Sequence, residues 1–406
     1  MSGNSVEPGI SGPALAVPVR LIVIAPDASR TGAPIALLRL CQWLVEQGVI
    51  EPVFVFSAGG PLVEAFRALG PVHIRRARGS GRLRWLLGPR LGVPVADLVR
   101  RARDVRVARI ADAAGATVVL ANTAACATTA WRLRRGGRRV VAYVHELDDA
   151  VRRCCNDTDR RVLGRCADQF LAVSEPVETM LVDRVGVPAA AVSLAAGTVA
   201  DGFAPRSDTV EAARRRIGAG PGDVVVGGSG QLGWTKGSDL FLAAAAEAVR
   251  RRGGPAGLRF CWLGPGTPEA TPEEFLASAR RLGLQELVEL VPPVADPAPL
   301  FASFDIFVSS SREDSNPLTA MEAAHLERPV VCFAGAGGVE SIPAAGGGIA
   351  VPALRADLLG EAIATLAGDA QRRRLMGRQG RAHVERHNRP GAVGPDVAAL
   401  IAAPGR

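Results

Sequence analysis

Short apolar runs recur along the chain, each followed by a stretch with helical spacing. The first is RLIVIA at 20–25, and a helical segment is predicted after it from about Ala33 to Glu46. PVFVF (52–56), TVVLA (117–121), RVVAYV (139–144), FLAV (170–173) and VSL (192–194) continue the series. Runs that are apolar at successive positions, not alternating, mark strands buried on both faces. The rhythm breaks at AAGTVADGFAPRSD (195–208) and restarts with DVVVGG (223–228), LRFCWLG (258–264), LVELV (287–291), DIFVSS (305–310) and PVVCF (329–333). Strand–helix alternation of this kind predicts two α/β domains, each a parallel sheet covered by helices. The stretch from about 355 to 403 carries no strand signal and is read as helical. The expected division is a flexible tail at 1–18, domains at 19–198 and 199–385, and a C-terminal helix at 386–406 that packs back on the first domain.

A length of 406 residues exceeds one ordinary core and agrees with two domains. Seven cysteines, an odd number in which Cys154 and Cys155 are adjacent, read as free thiols in a reducing cytoplasm and not as a disulfide framework. No apolar run reaches the roughly 18 residues of a membrane helix, and the first residues lack the charged start of a signal peptide. The expected location is therefore cytoplasmic, with the inner membrane face as a place of peripheral contact. The formal charge of +8 permits an acidic partner. Residues 75–109 hold eleven arginines against Asp97 and Asp104. A solvated helix face with its loop accounts for them; the functional reading is a docking surface for an anionic membrane or acidic acceptor. Nucleic acid is disfavoured, because Trp85 is the one aromatic there for base stacking.

In an open parallel sheet, ligands bind outside the carboxyl ends of the strands, so the loops there hold the candidate chemistry. After DVVVG, the residues Gly228 to Gly233 match G-x-G-x-x-G. This dinucleotide fingerprint opens the second half of the chain, and no acid follows at a second strand end, so NAD is not expected. Three residues on stands Lys236, the only lysine beside 47 arginines. A flexible point charge next to a glycine loop suits phosphate. The stretch SSSREDSNPLTAMEAAHLERPVV (309–331) places Glu313 and Asp314 in a loop. Asn316 is expected to cap a helix opened by Pro317 and running to about Glu327. Ser315 and the free N–H groups of Leu318 and Thr319 then form an anion site, with Glu322 one turn further in. In the first domain, Thr31-Gly32-Ala33-Pro34 follows the first strand and His145-Glu146 follows RVVAYV. His73, His325, His383 and His387 receive structural readings.

Asp314 and Glu322 are separated by seven residues. Here the sequence resembles the retaining glycosyltransferases of family 4, whose C-terminal half carries two acids at this spacing after a strand end. ADPAPLFASFDIFVSSSRED, GGVESIPAAGGGIAVP and GQLGWTKGSDLF all look like that family, over nearly the whole chain from about residue 20. The resemblance implies the α/β GT-B fold: two facing Rossmann-like domains with parallel sheets and a cleft between them. It implies that Glu322 holds the ribose hydroxyls of a nucleotide donor, that Lys236 neutralises its pyrophosphate, and that Ser315, Asn316, Pro317, Leu318 and Thr319 wrap the donor sugar and distal phosphate. Gly32, Ser229 and Gln231 would lie against the donor, and Asp314 and His145 would flank the reacting centre. Two departures stand out: Gln231 occupies the place of a common Arg, and Asp314 is one methylene shorter than the usual Glu.

The expected activity is transfer of a sugar from a nucleotide-sugar to an unknown acceptor with retention, without a cofactor or metal, since no Asp-x-Asp motif follows a strand. A nucleotide-sugar epimerase or phosphorylase of the same fold, or a non-catalytic sugar-binding protein, are the alternatives.

Overall fold

The computed structural model describes residues 17–74 and 92–404. The expected tail lies outside these up to residue 16, as does the 75–91 part of the arginine-rich stretch. The chain forms two compact units. One holds the described residues up to Tyr143 together with Asp157–Phe170 and the end of the chain from Gly394; the other holds Val144–Asn156 and Leu171–Val393.

The first sheet has seven strands in the order β3-β2-β1-β4-β5-β6-β7: β1 Val19–Ala25, β2 Ile50–Phe56, β3 Val72–Ile74, β4 Val118–Asn122, β5 Arg139–Val144, β6 Gln169–Ala172 and β7 Val192–Leu194. β1 pairs in parallel with both β2 and β4, so the chain crosses over beside β1. Leu21 to Ile24 are wholly buried, as the continuous apolar run requires. Phe54, Phe56 and Phe66 close one face with ring centroids 4.9 Å apart in the tilted pairs. The chain end is fastened to this unit at two points. Gly394 leaves room for Trp43, whose ring would lie 2.2 Å from an added Cβ. Arg139 donates to the carbonyls of Leu400, Ile401 and Ala403, groups that a helix end otherwise leaves without acceptor partners. Within the arginine-rich region, Asp104 is buried and paired with Arg132, and it accepts from Thr129 Oγ1 at 2.7 Å, so this acid serves the fold.

The second sheet has six strands in the order β10-β9-β8-β11-β12-β13: β8 Val224–Ser229, β9 Leu258–Leu263, β10 Val288–Val291, β11 Ile306–Ser309, β12 Val330–Phe333 and β13 Gly348–Val351. β8 pairs in parallel with β9 and β11. Its core is aromatic: Phe241, Phe260, Trp262, Phe301, Phe304 and Phe307 are all at most 1% exposed. Burying each such ring stabilises the fold by about 1.5–3 kcal/mol. Gly227 in β8 is a consequence, since a Cβ there would sit 2.2 Å from the Phe304 ring.

Two strands were not expected from the sequence. β3 has three residues and β13 four, both are edge strands, and neither is fully buried. An edge strand needs no continuous apolar run, so it leaves little pattern to read. In β13, Gly348 is required by packing, because a Cβ would lie 1.8 Å from the Val330 carbonyl oxygen.

Candidate active site

In the second sheet the strand order reverses between β8 and β11, and the crevice at such a point is where a doubly wound sheet takes its ligand. The loops after these two strands are 230–237 and 310–317. They are joined by several bonds. Ser310 Oγ donates to the carbonyls of Lys236 (3.1 Å) and Gly237 (2.9 Å), and the Arg312 N–H donates to Thr235 O at 2.9 Å. Gly237 has φ +62°, and a Cβ would sit 2.0 Å from the Ser310 carbonyl oxygen. Only glycine meets both conditions.

This clamp delivers Lys236 to Asp314. The ammonium group forms an ion pair with Oδ2 of the carboxylate, and Ser311 Oγ lies 3.4 Å from the same oxygen. Asp314 is 9% exposed, while the Lys236 side chain keeps 32% of its surface open to solvent. A cation that is held by one buried acid yet still reachable can turn to an incoming anion. The loop after β12 supports Asp314 from its other side: the Asp314 N–H donates to Ala336 O at 2.7 Å, and the Gly338 N–H reaches Ser315 O at 3.1 Å. Gly337 permits this approach with φ +129°, its would-be Cβ lying 2.2 Å from Asp314 O.

The glycines of the fingerprint serve different ends. Gly228 gives way to the core, since a Cβ would come within 3.0 Å of both the Trp262 and Phe241 rings. Gly230 has φ +151° and its carbonyl accepts from Trp262 Nε1 at 3.0 Å. The absence of a side chain at Gly228 is therefore required by the core. Ser229 donates its hydroxyl to Leu263 O at 3.0 Å, and Gln231 is exposed.

The helix Leu318–His325 begins one residue later than expected. Pro317, not Asn316, is its N-cap, and no side chain caps it. The Asn316 amide instead donates to Val173 O at 2.7 Å, an acceptor far away in sequence, while its Oδ1 is buried without a partner among the described residues. The N–H groups of Leu318 and Thr319 still open a helix, where amides have no intrahelical acceptor. Glu322 is on this helix and only 6% exposed, so it is a buried acid and not a solvated surface one.

His145 also belongs to this unit. Its backbone carbonyl accepts from Ser315 Oγ, and its N–H donates to Glu146 Oε2 at 3.0 Å. Burial lowers the imidazole pKa to about 3, so the ring is neutral at neutral pH and offers hydrogen bonding without charge. Glu313 points elsewhere: its carboxylate accepts from the Ala150 N–H at 3.0 Å, and burial raises its pKa. Gly32 lies in the first unit, where it opens the helix Gly32–Glu46, and nothing lies within 4 Å of the place its Cβ would take.

Three residues of the site, Trp234, Arg153 and Arg312, were not singled out from the sequence. Trp234 is 53% exposed, and the guanidinium groups of Arg153 and Arg312 stand 5.4 and 5.3 Å from its ring centroid. Arg312 also binds Asp239 through two nitrogens, at 2.9 and 2.7 Å, so it locks the loop that carries Lys236. The one legible hint was Trp234 standing two residues before the lone lysine. Among the described residues, no three His, Cys, Asp or Glu side chains gather into a group able to hold a metal ion.

The family model described as glycosyl transferases group 1 matches residues 223–369, the part that holds both loops, and that of glycosyltransferase family 4 matches 30–196. The chain belongs to the family 4, group 1 glycosyltransferases, which have the GT-B fold. A protein of Segniliparus rotundus named D-inositol 3-phosphate glycosyltransferase is 32% identical over 178 residues, 43% of this chain and 39% of its own. One of the same name from Kribbella flavida is 29% identical over 245 residues, 55% of each chain. The chain thus spans about half or less of the length of these curated relatives. Among solved structures, Anabaena HepE in complex with UDP-glucose superimposes with a TM-score of 0.76 at 18% identity, covering 94% of this chain and 99% of that one. WaaG, a glycosyltransferase involved in lipopolysaccharide biosynthesis, gives 0.70 at 13%, covering 95% and 100%. These two likenesses concern the fold. No helix among the described residues is long and apolar enough to cross a membrane.

Proposed function

We propose that the protein transfers a sugar from a nucleotide-sugar donor to an acceptor hydroxyl, with retention of anomeric configuration and without a metal ion. The observation that carries this reading is the Lys236–Asp314 pair at the crossover of the second sheet, beside the opening of the helix Leu318–His325. When the donor's diphosphate enters, Lys236 turns from Asp314 to the phosphate oxygens, and the amides of Leu318 and Thr319 add their partial positive charge. Charge that develops on the leaving phosphate is then met by groups already in position, the usual source of rate in such a step. Glu322, buried and carboxylate-bearing, suits the two ribose hydroxyls, because a carboxylate accepts more than one hydrogen bond. Neutral His145 and the buried Asn316 Oδ1 offer polar contacts for the sugar.

The family resemblance supports attack on the face the phosphate leaves, with that phosphate taking the acceptor's proton. The names of the curated relatives make inositol phosphate the first acceptor to try, and the solved relatives' complexes make UDP-glucose the first donor. The deciding experiment is a thermal-shift screen of UDP-, GDP-, ADP- and dTDP-sugars, followed by NMR of the product's anomeric centre. An α-linked product from an α-linked donor supports the reading. An inverted product, or a free epimer made without acceptor, overturns it. Donor binding with neither hydrolysis nor transfer would mark a sugar-binding protein.

A further inference from the structure

The opposite edge of the second sheet carries a polar cavity of about 150 Å³. It opens at the amino ends of β11 and β12, lined by Asp305, Glu327, Arg328, Arg373 and Arg374, with Ala370 at the start of the helix Ala370–His387. β11 separates it from Asp314: Asp305 precedes that strand and Asp314 follows it, and four residues of strand span roughly 13 Å.

Local sequence builds the wall. The helix Leu318–His325 ends with the Glu327 N–H donating to Ala324 O and the Arg328 N–H donating to Ala323 O, both at 2.9 Å. Glu327 takes φ +63° at the position where glycine is usual. Gly377 lets the helix Ala370–His387 press against this turn, since a Cβ there would lie 2.1 Å from the Glu327 carbonyl oxygen. Arg373, one turn before Gly377, is thereby brought to the same cavity as Arg328.

The charges around it are unevenly matched. Asp305 already accepts from Arg214 Nη1 at 3.1 Å and from the Val225 N–H at 2.9 Å, and Glu327 faces Arg381 Nη1 at 3.3 Å. Among the described residues, Arg328 donates to the carbonyls of Leu326 and Phe304, both at 2.7 Å, and Arg373 to those of Leu366 and Ala367, at 2.6 and 3.0 Å. The Arg374 side chain makes no bond among the described residues. Three guanidinium groups thus line one cavity, none in an ion pair with a carboxylate among the described residues, each with donors to spare. Burial lowers the pKa of Arg328, against the opposing pull of the Asp305 and Glu327 carboxylates.

We propose that this cavity is a second anion site, specific for a small free phosphoryl dianion and independent of the donor loops. A guanidinium fork matches two oxygens of a phosphoryl group, and the three cations outnumber the two carboxylates of the lining, each of which already faces another arginine. The volume favours a small ligand: sites for drug-sized ligands run to about 300–1,000 Å³, against about 150 Å³ here. A bound dianion would tie the helix Ala370–His387 to the turn after the helix Leu318–His325.

The test is calorimetric titration of the full chain with inorganic phosphate, with and without excess UDP. One phosphate per chain is expected, unaffected by UDP. Arg374→Gln should weaken it about tenfold, the scale of losing charge-assisted hydrogen bonds, and Arg373→Gln with Arg374→Gln should remove it. Arg374 has no structural bond to lose among the described residues, so a melting curve like that of the wild type is expected for the single variant. Displacement of phosphate by UDP, equal affinity in the single variant, or no saturable binding would each overturn the proposal. Sedimentation with phosphatidate vesicles addresses the other source of the same headgroup. Arg374-dependent vesicle binding without binding of free phosphate would assign the arginines to a lipid surface and reject the free dianion.

Discussion

Lys236 and Asp314 are 78 positions apart in sequence and form an ion pair in which the acid is buried and the cation is partly open. The pairing makes their stability effects unequal. Lys236→Ala leaves a buried carboxylate whose remaining neighbour is Ser311 Oγ at 3.4 Å, whereas Asp314→Asn leaves a lysine that reaches water. We expect Lys236→Ala to cost about 1–3 kcal/mol, reduced from the value for a fully buried pair because Lys236 is solvated. Asp314→Asn should cost less. Urea unfolding of both and of the double variant reads the coupling. Turnover should fall about 10²–10³-fold in Lys236→Ala if it stabilises the leaving phosphate; wild-type turnover in that variant would reject the role.

Glu322→Gln is expected to weaken donor binding by about 1–2 kcal/mol, because the amide loses charge-assisted strength at the hydroxyls. The specific readout is a donor lacking the ribose hydroxyls. It should bind wild type and variant with equal affinity. A variant that still discriminates between ribose and its deoxy form as wild type does would place the ribose elsewhere.

Gly237→Ala and Gly32→Ala form a contrasting pair. The first meets both a positive φ and a carbonyl oxygen 2.0 Å away, so a loss of about 1–3 kcal/mol in stability is expected, together with donor affinity. Gly32 has open space around it and stands at the start of a helix, so alanine there should leave stability unchanged or raise it by a few tenths of a kcal/mol. If Gly32→Ala nonetheless lowers donor affinity, the glycine is kept for a ligand. Melting temperature and donor titration on both variants separate the two effects.

Gln231→Arg adds a cation to an exposed loop position close to Lys236 in sequence. Donor affinity should rise by about 1–2 kcal/mol with a steeper salt dependence, and turnover need not follow, since tighter ground-state binding does not lower the chemical barrier. Calorimetry at several ionic strengths checks this. An unchanged affinity and salt slope in a folded variant would mean the loop does not face the diphosphate.

The depressed pKa of His145 makes a stability prediction with a definite sign. Its folded value of about 3 lies below the unfolded value of about 6.5, so the unfolded chain binds the proton first as pH falls. Stability from the neutral ring is complete above pH 6.5 and is lost progressively between there and pH 3. His145→Asn removes that component. Its urea midpoint should fall less steeply than the wild type's over this window. Parallel curves would show that the imidazole is not held neutral by burial.

The order of strands and helices was legible in the sequence because it is written in local terms: continuous apolar runs, turn residues, and a break at 195–208. So were Lys236, the only lysine in the chain, and the seven-residue spacing of Asp314 from Glu322. Edge strands β3 and β13 escaped because they bury too little to leave a pattern. Asn316 shows a local preference losing to a distant one. It has the side chain of a helix cap, yet its amide goes to the Val173 carbonyl, and Pro317 takes the cap position. Trp234, Arg312 and Gly337 became readable only once folded. Their partners, Arg153, Asp239 and the Asp314 carbonyl oxygen, lie far away along the chain. What brings them together is the strand order 10-9-8-11-12-13, which sets β11 beside β8 and the loop after β12 against Asp314. That order depends on which apolar runs pair across the core, and pairing energy comes from long-range burial that no short window of sequence contains.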